Sequence, residues 1–501
     1  MSPTEPFDAV VIGAGFGGLG AALRLAEGGA RVCLLETLRY PGGSASTFSR
    51  DGYRFEAGAT LFSGFGEGQL FRGWVERHGL DVTVDFLEPV VTLRTPSMTL
   101  PISSRPGALR EQLLAWPGAP RESLERFFAL QTKVADVLWE QLADPALLPP
   151  FRPGTWLRHL ARTPRYLPLL SLIGKPLGAV LESHGLGTWE PLRVFLDGVC
   201  QISLQCSAAE AEAPFALATM DYFVRGTGHV RGGIGTLAEA LVGAIARLGG
   251  DVRLATAARS LRREEGLHVV ETRRGPVYAR SVIANLLPQG VARLLGETSS
   301  GELARLAEAV ESGWGACMLY LAARVPEGED GPFHVEIVQD PTRPFTLGNH
   351  LFCSASGPED GLRAPPGERT LTVSTHVPMA AFRALGAAEQ AAEVARIQAT
   401  MREGLARFLP RWWAGVTHEL PASPRTFERF TGRHLGLVGG IPRRAGLSNY
   451  RRLGLTEVRP GLLLVGDSVF PGQSTLATAL SGVKAAEHVL RAIPTRESRG
   501  P

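Results

Sequence analysis

The residues with the clearest chemical potential are three glycines and one acid near the start of the chain. Gly13, Gly15 and Gly18 form a G-x-G-x-x-G pattern in the stretch AVVIGAGFGGLGAALRLAEGGARVCLLE, and Glu36 ends that stretch. Such glycines allow a tight turn, a close approach of a diphosphate to the backbone, and close contact between a helix and a strand. The acid can accept a hydrogen bond from a ribose hydroxyl. The pattern therefore predicts a dinucleotide-binding site.

These residues need a strand, a helix and a second strand to position them. An apolar run rich in β-branched residues precedes Gly13, a helix is predicted to open at Leu19, and ARVCLLE is typical of a second buried strand. The free N–H groups and positive dipole end of the helix N-terminus would face the phosphates. A lone G-x-G-x-x-G pattern is weak evidence for dinucleotide binding. Here, however, every part of the βαβ unit occurs where the mechanism requires it.

The stretch after Glu36 distinguishes FAD from a nicotinamide cofactor. YPGGSASTFSRDGYRFEAG makes a glycine turn and a hairpin, whereas an NAD domain usually continues into another helix. This arrangement resembles the extended fingerprint of the two-dinucleotide-binding-domain flavoproteins, in which a double glycine and an acid–x–glycine line the flavin end. Ordinary surface turns are the alternative for any one of these residues. The resemblance implies FAD contacts for Gly42, Gly43, Ser44, Glu56 and Gly58.

A distant segment, RPGLLLVGDSVFPGQSTLATALSG, adds a second set of candidates near the C-terminus. An apolar strand leads to Asp467, which can accept hydrogen bonds from the ribityl hydroxyls of FAD. A helix then begins, and its N–H groups would stabilise negative charge on the reduced isoalloxazine ring. A plain strand, turn and core helix would explain the apolar residues but not the acid. The predicted cofactor-binding residues here are Gly466, Asp467, Gln473, Ser474 and Thr475.

The middle of the chain supplies one more candidate. HVRGGIGTLAEALVGAIARLGGDVRL predicts an amphipathic helix followed by a strand at Val252, and a β-meander comes next. In the same flavoproteins the FAD domain is split in this way. The resemblance implies that Val252 contacts the adenine of FAD. The equal alternative is that Val252 is an ordinary strand residue without a role in binding.

Together these segments resemble the bacterial carotenoid desaturase and isomerase family. PGGSASTFSRDGYRFEAGAT, RAPPGERTLTVSTH and LVGDSVFPGQSTLATALSG carry the resemblance, which runs nearly end to end. It implies bound FAD, a long apolar polyene or isoprenoid substrate, and contact with a membrane surface. The GGS turn and the GDS-x-FPG motif are closer to the isomerase and 3′,4′-desaturase branches than to the phytoene desaturases.

The resemblance predicts an FAD-dependent oxidoreductase that desaturates a carotenoid-like polyene by hydride transfer to flavin N5. Alternatives are a cis–trans isomerase that uses reduced FAD without net redox change, a saturase or amine-oxidase-like enzyme, and a non-enzymatic isoprenoid or lipid carrier. The chemistry is assigned to the flavin, so no catalytic side chain is named. His229, His350 and His376 are singled out, but a structural role is expected for each because the sequence pairs none with an acid.

The predicted fold class is α/β. A Rossmann-like FAD-binding domain of the two-dinucleotide-binding-domain type is interleaved with a substrate domain of helices over a mixed sheet. Residues 1–70, 225–300 and 430–501 are expected to form the FAD-binding domain. Residues 71–224 and 301–429 are expected to form the substrate-binding domain.

Residues 145–181 are the candidate membrane-facing segment. They contain no Asp or Glu, and basic residues alternate there with aromatic and aliphatic ones. This composition is typical of a segment that lies on anionic lipid. A solvated basic helix over an apolar cap is an equal alternative. The basic residues are Arg152, Arg158, Arg162, Arg165 and Lys175.

Composition sets the remaining expectations. The chain has 501 residues, a net charge of +3 and a hydrophobic fraction of 44%, which describe a globular protein with a large core and give no support for nucleic-acid binding. Five scattered cysteines predict neither a disulfide framework nor a zinc site. We expect a cytoplasmic protein without metal that is peripheral at the inner face of the cell membrane. The sequence leaves the oligomeric state open.

Overall fold

The computed structural model describes residues 5–151, 153–297, 301–324, 328, 333–451 and 453–493. Within these residues the strands are β1 (Phe7–Ile12), β2 (Val32–Leu35), β3 (Thr47–Arg50), β4 (Tyr53–Glu56), β5 (Val84–Asp85), β6 (Val91–Arg94), β7 (Thr99–Ile102), β8 (His229–Val230), β9 (Asp251–Arg253), β10 (Ala258–Glu264), β11 (Leu267–Thr272), β12 (Gly275–Ala284), β13 (Trp314–Arg324), β14 (Phe333–Val338), β15 (His350–Ala355), β16 (Glu368–Pro378), β17 (Val416–Ala422), β18 (Thr456–Arg459) and β19 (Leu462–Leu464).

In the same residues the α-helices are α1 (Phe16–Glu27), α2 (Leu70–His78), α3 (Ala108–Leu114), α4 (Arg121–Ala143), α5 (Pro153–Leu170), α6 (Leu177–Ser183), α7 (Glu190–Leu204), α8 (Ala213–Thr219), α9 (Gly235–Arg247), α10 (Pro288–Leu295), α11 (Gly301–Glu311), α12 (Met379–Arg383), α13 (Ala387–Phe408), α14 (Pro410–Ala414), α15 (Pro424–Thr431) and α16 (Thr475–Ala492).

The larger sheet has the strand order β10–β11–β12–β1–β2–β9. Strand β19 also pairs with the carboxyl half of β12, on the edge opposite β1, and β18 pairs with β19. Strands β9, β2, β1, β12 and β19 are mutually parallel, while β10, β11 and β12 form an antiparallel meander. Val10 and Val11 of β1 are fully buried, as a continuous apolar run predicts for a parallel strand covered on both faces. All carboxyl ends of the parallel strands therefore meet at one edge of the sheet.

The second sheet has the order β17–β13–β16–β15–β14–β6–β7 and is antiparallel except where β14 pairs with β6. One of its faces packs on α13, where Val373 meets Ile397 in a common core. The other face is turned toward α7, where Phe352 shares a core with Val199. Helices over a mixed sheet are thus present, and the predicted α/β fold class is confirmed.

The predicted domain boundaries remain a proposal, which the two sheets support. Strands of the larger sheet come from residues 7–35, 251–284 and 456–464. Residues 1–4, 298–300 and 494–501, at the ends of the predicted FAD-binding segments, lie outside the described residues.

Helices α1 and α16 touch through their backbones. A Cβ added to Gly482 would lie 1.9 Å from the carbonyl oxygen of Gly17, and one added to Gly28 would lie 2.5 Å from Leu490. The order of these contacts along the two helices shows that they run in the same direction. Their N-termini therefore lie at the same end, although more than four hundred residues separate them in the chain.

A buried ion pair joins the β3–β4 hairpin to the loop before β16. Glu56 is 0% exposed and Arg363 is 1% exposed, and Glu56 Oε2 lies 3.4 Å from Arg363 Nη1. Arg363 Nε also donates a hydrogen bond to the carbonyl oxygen of Arg54. Burial raises the pKa of Glu56 to about 7, against the opposing effect of the Arg363 charge. The carboxyl group of Glu56 therefore titrates near neutral pH.

Replacing Glu56 with Gln should change the pH dependence of stability. Because the folded pKa is raised, the stability that Glu56 contributes is fully present below about pH 4.5 and is lost as the pH rises through about 7. Relative to Glu56→Gln, the unfolding free energy of the wild type should fall by about 1 kcal/mol per pH unit in that window. Denaturant unfolding of both proteins between about pH 4.5 and 7 measures this difference. Unfolding free energies that change equally with pH in the two proteins would contradict the prediction.

Candidate active site

A cavity lies at the carboxyl edge of the parallel strands. Its volume is about 2080 Å³, part of which is open to solvent. The residue that follows each parallel strand, or one close behind it, lines the cavity, as expected for ligand sites in open α/β sheets. These residues are Gly13 after β1, Glu36 after β2, Thr256 after β9, Asn285 after β12 and Asp467 after β19.

The N-terminus of α1 and the carboxylate of Glu36 form one end of the cavity. Glu36 is 8% exposed, and its two oxygens accept hydrogen bonds from the backbone N–H groups of Ala14 at 2.7 Å and Leu38 at 2.8 Å. Burial raises the pKa of Glu36, and these N–H donors oppose the shift. A carboxylate oxygen can accept more than one hydrogen bond. Glu36 can therefore still accept a hydrogen bond from a ligand hydroxyl.

Asn285 forms the wall of this end, and sequence reasoning missed it. A Cβ added to Gly15 would lie 2.7 Å from Asn285 Nδ2, and one added to Gly17 or Gly466 would lie 2.6 or 2.8 Å from Asn285 Oδ1. The glycines thus leave room for an asparagine from another strand as well as for a ligand. The available signal was a lone amide after the apolar end of a strand, in SVIAN.

Asp467 is held by an arginine that sequence reasoning also missed. Asp467 Oδ2 accepts a hydrogen bond from Arg433 Nη2 at 2.8 Å, and both residues line the cavity. Arg433 also donates to the backbone carbonyl groups of Leu437 and Gly439. The arginine lies just after α15, outside any strand–turn–helix pattern, so no local pattern indicated its position.

The N-terminus of α16 forms the adjoining wall. Ser474 accepts a hydrogen bond from the N–H of Ala477 at 3.1 Å and has a φ of 108°, a region that residues other than glycine rarely adopt. Ser44 Oγ and Thr475 Oγ1, which also line this part of the cavity, are buried and have no hydrogen-bond partner among the described residues. Unpartnered buried hydroxyls are rare in folded proteins, so these two fit a polar ligand between the two helix N-termini.

The cavity brings most of the predicted site residues together. Those that line it are Gly13, Gly15, Glu36, Gly42, Gly43, Ser44, Gly58, Asp467, Gln473, Ser474 and Thr475.

Four others, Gly18, Glu56, Val252 and Gly466, are not among the described residues of its lining. Gly18 packs on the carbonyl group of Gly13, Val252 pairs with Leu34 in β2, and Glu56 lies beside Arg363. The cofactor contacts assigned to all these residues remain predictions.

The other end of the cavity is apolar and lies between the second sheet and α7. The hydroxyl of Tyr222 donates a hydrogen bond there to the carbonyl oxygen of Leu61 at 2.8 Å. Burial raises the pKa of Tyr222 to about 12. Burial lowers the pKa of His376 to about 3. Neither group carries a charge at neutral pH. The side chains lining this end come from Leu61, Phe62, Ile202, Tyr222, Ala316, Met318, Phe352, Ser374 and His376.

The three singled-out histidines have different positions. His350 Nε2 lies 3.1 Å from Glu336 Oε1, and both side chains are buried. The sequence places no acid beside these histidines, and the partner of His350 comes from the neighbouring strand β14. His229 is buried beside His334, at 5.4 Å between ring centroids. His376 lines the cavity.

Comparison with known proteins identifies the family. The family model described as flavin containing amine oxidoreductase matches residues 16–490, so the chain belongs to that family. It is 26% identical to the chloroplastic prolycopene isomerase of Arabidopsis thaliana over 96% of this chain and 82% of that protein. A segment of 62 residues, 12% of each chain, is 45% identical to the neurosporene-forming phytoene desaturase of Cereibacter sphaeroides. These matches confirm the resemblance to the carotenoid desaturase and isomerase family.

Solved structures share the fold. An oxidoreductase from Methanosarcina mazei superimposes with a TM-score of 0.64 at 21% identity, covering 96% of this chain and 99% of its own. A putrescine oxidase gives the same TM-score at 17% identity, covering 98% and 100%. Membership of the flavin containing amine oxidoreductase family, rather than the shared fold, makes the chain an FAD-dependent enzyme and sets the carrier alternative aside.

Gly15→Val should abolish the retention of FAD. The φ of Gly15 is −70°, so valine can adopt this backbone conformation without strain. Its side chain would meet Asn285 and enter the part of the cavity at the start of α1. Flavin absorbance after gel filtration measures retention, and circular dichroism reports whether the chain is folded. Gly73→Val is the matched control, because a Cβ there has nothing within 4 Å, and it should stay yellow. A folded Gly15→Val protein that keeps its flavin would contradict the placement.

Proposed function

We propose that the protein desaturates a long apolar polyene with FAD as the oxidant. One observation carries this proposal: a single cavity joins two different ends. One end, here called the cradle, is formed by the N-termini of α1 and α16 with Glu36 and Asp467, and the lining of the other end is apolar or uncharged. The relatives named for prolycopene and phytoene support the class of substrate. The oxidoreductase family supports the class of reaction.

The residues of the cradle fit FAD. In this proposal the N–H groups at the start of α1 bind the diphosphate, and Glu36 accepts a hydrogen bond from the ribose. Asp467, oriented by Arg433, faces the ribityl hydroxyls. The N-terminus of α16 places its positive dipole end toward the pyrimidine part of the ring. The bound FAD supplies a two-electron acceptor for a hydride.

The apolar end suits the substrate for a physical reason. A polyene offers no polar group, so a wall of apolar side chains such as Ile202, Met318 and Phe352 binds it by excluding water. Removing a hydride leaves positive charge that the conjugated system spreads along its length. A wall without ionised side chains leaves that charge on the polyene and keeps water from adding to it.

Cis–trans isomerisation with reduced FAD is the second candidate. It is favoured by one observation, the similarity to prolycopene isomerases over 96–98% of this chain. The same cavity would then hold a bent polyene, and no electrons would leave the enzyme.

Anaerobic mixing of the yellow holoenzyme with phytoene, neurosporene and prolycopene tests the proposal. Desaturation should bleach the flavin, and the product should be lighter by two hydrogen atoms for each new double bond. Gly15→Val protein is the control for flavin-independent change. A product of unchanged mass that forms only when the flavin has been reduced beforehand would contradict desaturation and would indicate isomerisation.

Helix α5 supports contact with a membrane surface. Trp156, Leu157, Leu160, Leu167 and Leu170 are 58–71% exposed, and their spacing places them on one side of the helix. An apolar helix face turned toward solvent is typical of an interfacial helix. No helix in the described ranges is long and apolar enough to span a bilayer. We infer that α5 lies in the membrane surface and that the polyene enters from there.

The arginines of α5 are already paired within the protein. Arg162 and Arg165 bind Glu140 of α4 at 2.9 and 2.7 Å, and Arg158 binds Asp144. Arg152, the remaining predicted arginine, lies outside the described residues. Paired arginines attract anionic lipid less than free ones. The apolar face, rather than charge, is therefore expected to provide most of the binding energy.

Leu157→Glu with Leu160→Glu should prevent sedimentation of the holoenzyme with vesicles, because two charges would enter the lipid boundary. The wild type should bind neutral phosphatidylcholine vesicles nearly as well as vesicles that contain phosphatidylglycerol. Phe86→Glu with Leu362→Glu is the matched control, since these residues are 60% and 64% exposed on another surface, and it should bind like the wild type. Equal binding by both double variants would contradict the role of α5.

A further inference from the structure

We propose that His376 is a catalytic residue, the base that takes the proton when a double bond forms in the polyene. This inference rests on the proposed desaturation. It names a group for the half of the reaction that hydride transfer leaves open, since desaturation removes a proton as well as a hydride from neighbouring carbons.

The position of His376 is the first support. His376 and Ser374 extend from β16 on the face that lines the apolar end, and they pair across the sheet with Ala316 and Met318 of β13, which line it too. A bound polyene that fills this end must therefore pass over the imidazole. Strand β16 and its neighbours hold the ring on a rigid sheet rather than on a loop.

A chain of contacts connects His376 with the N-terminus of α16. The His376 ring lies edge-on to the Trp314 ring, at 5.8 Å between centroids. Trp314 Nε1 donates a hydrogen bond to the backbone carbonyl group of Gln205, and Gln205 Nε2 donates to Gln473 Oε1 at 2.6 Å. Gln473 precedes α16 by two residues. Because His376, Gln205 and Gln473 all line the same cavity, these contacts link the imidazole to the wall that we assign to the redox ring.

The imidazole is also free to react. Its ring makes no hydrogen bond or ion pair with the described residues. Nδ1 is buried, so Nε2 is the ring nitrogen that can face the cavity. Neutral imidazole carries one N–H donor and one unprotonated acceptor nitrogen. The acceptor nitrogen can take a proton from substrate.

The other ionisable groups in the described lining are unsuited to this role. The hydroxyl of Tyr222 is bound to the carbonyl group of Leu61, and its pKa is raised to about 12, so it is already protonated. Glu36, Arg433 and Asp467 hydrogen-bond within the protein at the other end of the cavity, where we assign them to the cofactor and not to the polyene. His376 is the described lining residue with an unoccupied basic atom at the apolar end.

With FAD bound, one substrate carbon would give a hydride, with both electrons of its C–H bond, to the oxidised flavin. The neighbouring carbon would give a proton to the imidazole of His376, which becomes imidazolium, and the electrons of that second C–H bond would form the new C=C bond. A two-electron acceptor such as oxygen or a quinone would reoxidise the flavin, and the imidazolium would lose its proton to solvent.

A weakly basic imidazole is sufficient for this proton transfer. Burial lowers the pKa of His376 to about 3, with a smaller contribution from nearby His350, so the ring is unprotonated throughout the neutral range. A C–H next to a carbocation is a much stronger acid than imidazolium. The imidazole is therefore always ready to accept the proton, and no carboxylate is needed to activate it.

His376→Ala holoenzyme tests the inference in the anaerobic flavin-bleaching assay. Bleaching by polyene should slow by roughly 100-fold or more, which is typical of losing a general base. Flavin retention and thermal stability should stay close to those of the wild type. Added imidazole should restore part of the rate, and substituted imidazoles should restore more as their basicity rises. His376→Gln, which fills the space without a basic nitrogen, should stay slow and should not be rescued.

The outcomes separate the two proposals. A His376→Ala rate within threefold of the wild type, or a slow rate that non-basic N-methylpyrrole restores as well as imidazole does, would overturn the role of His376 and leave desaturation standing. A slow rate that no small base restores would overturn it as well. A wild-type enzyme that none of the polyenes reduces, or that only changes their geometry, would overturn desaturation and this inference with it.

Discussion

The close contact between α1 and α16 is the constraint on which the site depends. The two helices lie far apart in the chain, yet Gly17 and Gly482 let their backbones touch. Both N-termini then open onto one cavity at the carboxyl edge of the larger sheet. A helix N-terminus can stabilise an anion only through bare N–H groups. Small residues at the contact are therefore what allow two such termini to open onto one cavity, where we propose that both bind the cofactor.

The cavity has two chemically different ends, and each suits one partner. The cradle contains the ionisable side chains Glu36, Arg433 and Asp467, each held by hydrogen bonds within the protein. The opposite end offers hydrocarbon, a protonated phenol at Tyr222 and a neutral imidazole. Charges are costly in an apolar environment. Placing them all at the cradle leaves the apolar end to a substrate without polar groups.

Local patterns brought out the glycines and the acid that line one end of the cavity, because these residues follow one another in the chain. Gly13, Gly15 and Glu36 belong to one βαβ unit, whose mechanism sets their spacing. Asn285 and Arg433 were missed because they reach the cavity from other strands and loops, through contacts that no local pattern encodes. For the same reason the acid partner of His350 was not foreseen. Glu56 fitted a motif, and only the fold shows that Arg363 lies beside it.

The contact of Asn285 with its surrounding glycines has an evolutionary consequence. Gly15, Gly17 and Gly466 each face the same amide at a distance that excludes even a methyl group. A side chain at Gly15 or Gly17 therefore requires the Asn285 amide to move or residue 285 to be smaller. At Gly466 the φ of 109° adds backbone strain that no change at position 285 relieves. Substitutions at Gly15 and Gly17 are therefore expected to depend on the residue at position 285, whereas Gly466 is expected to stay glycine.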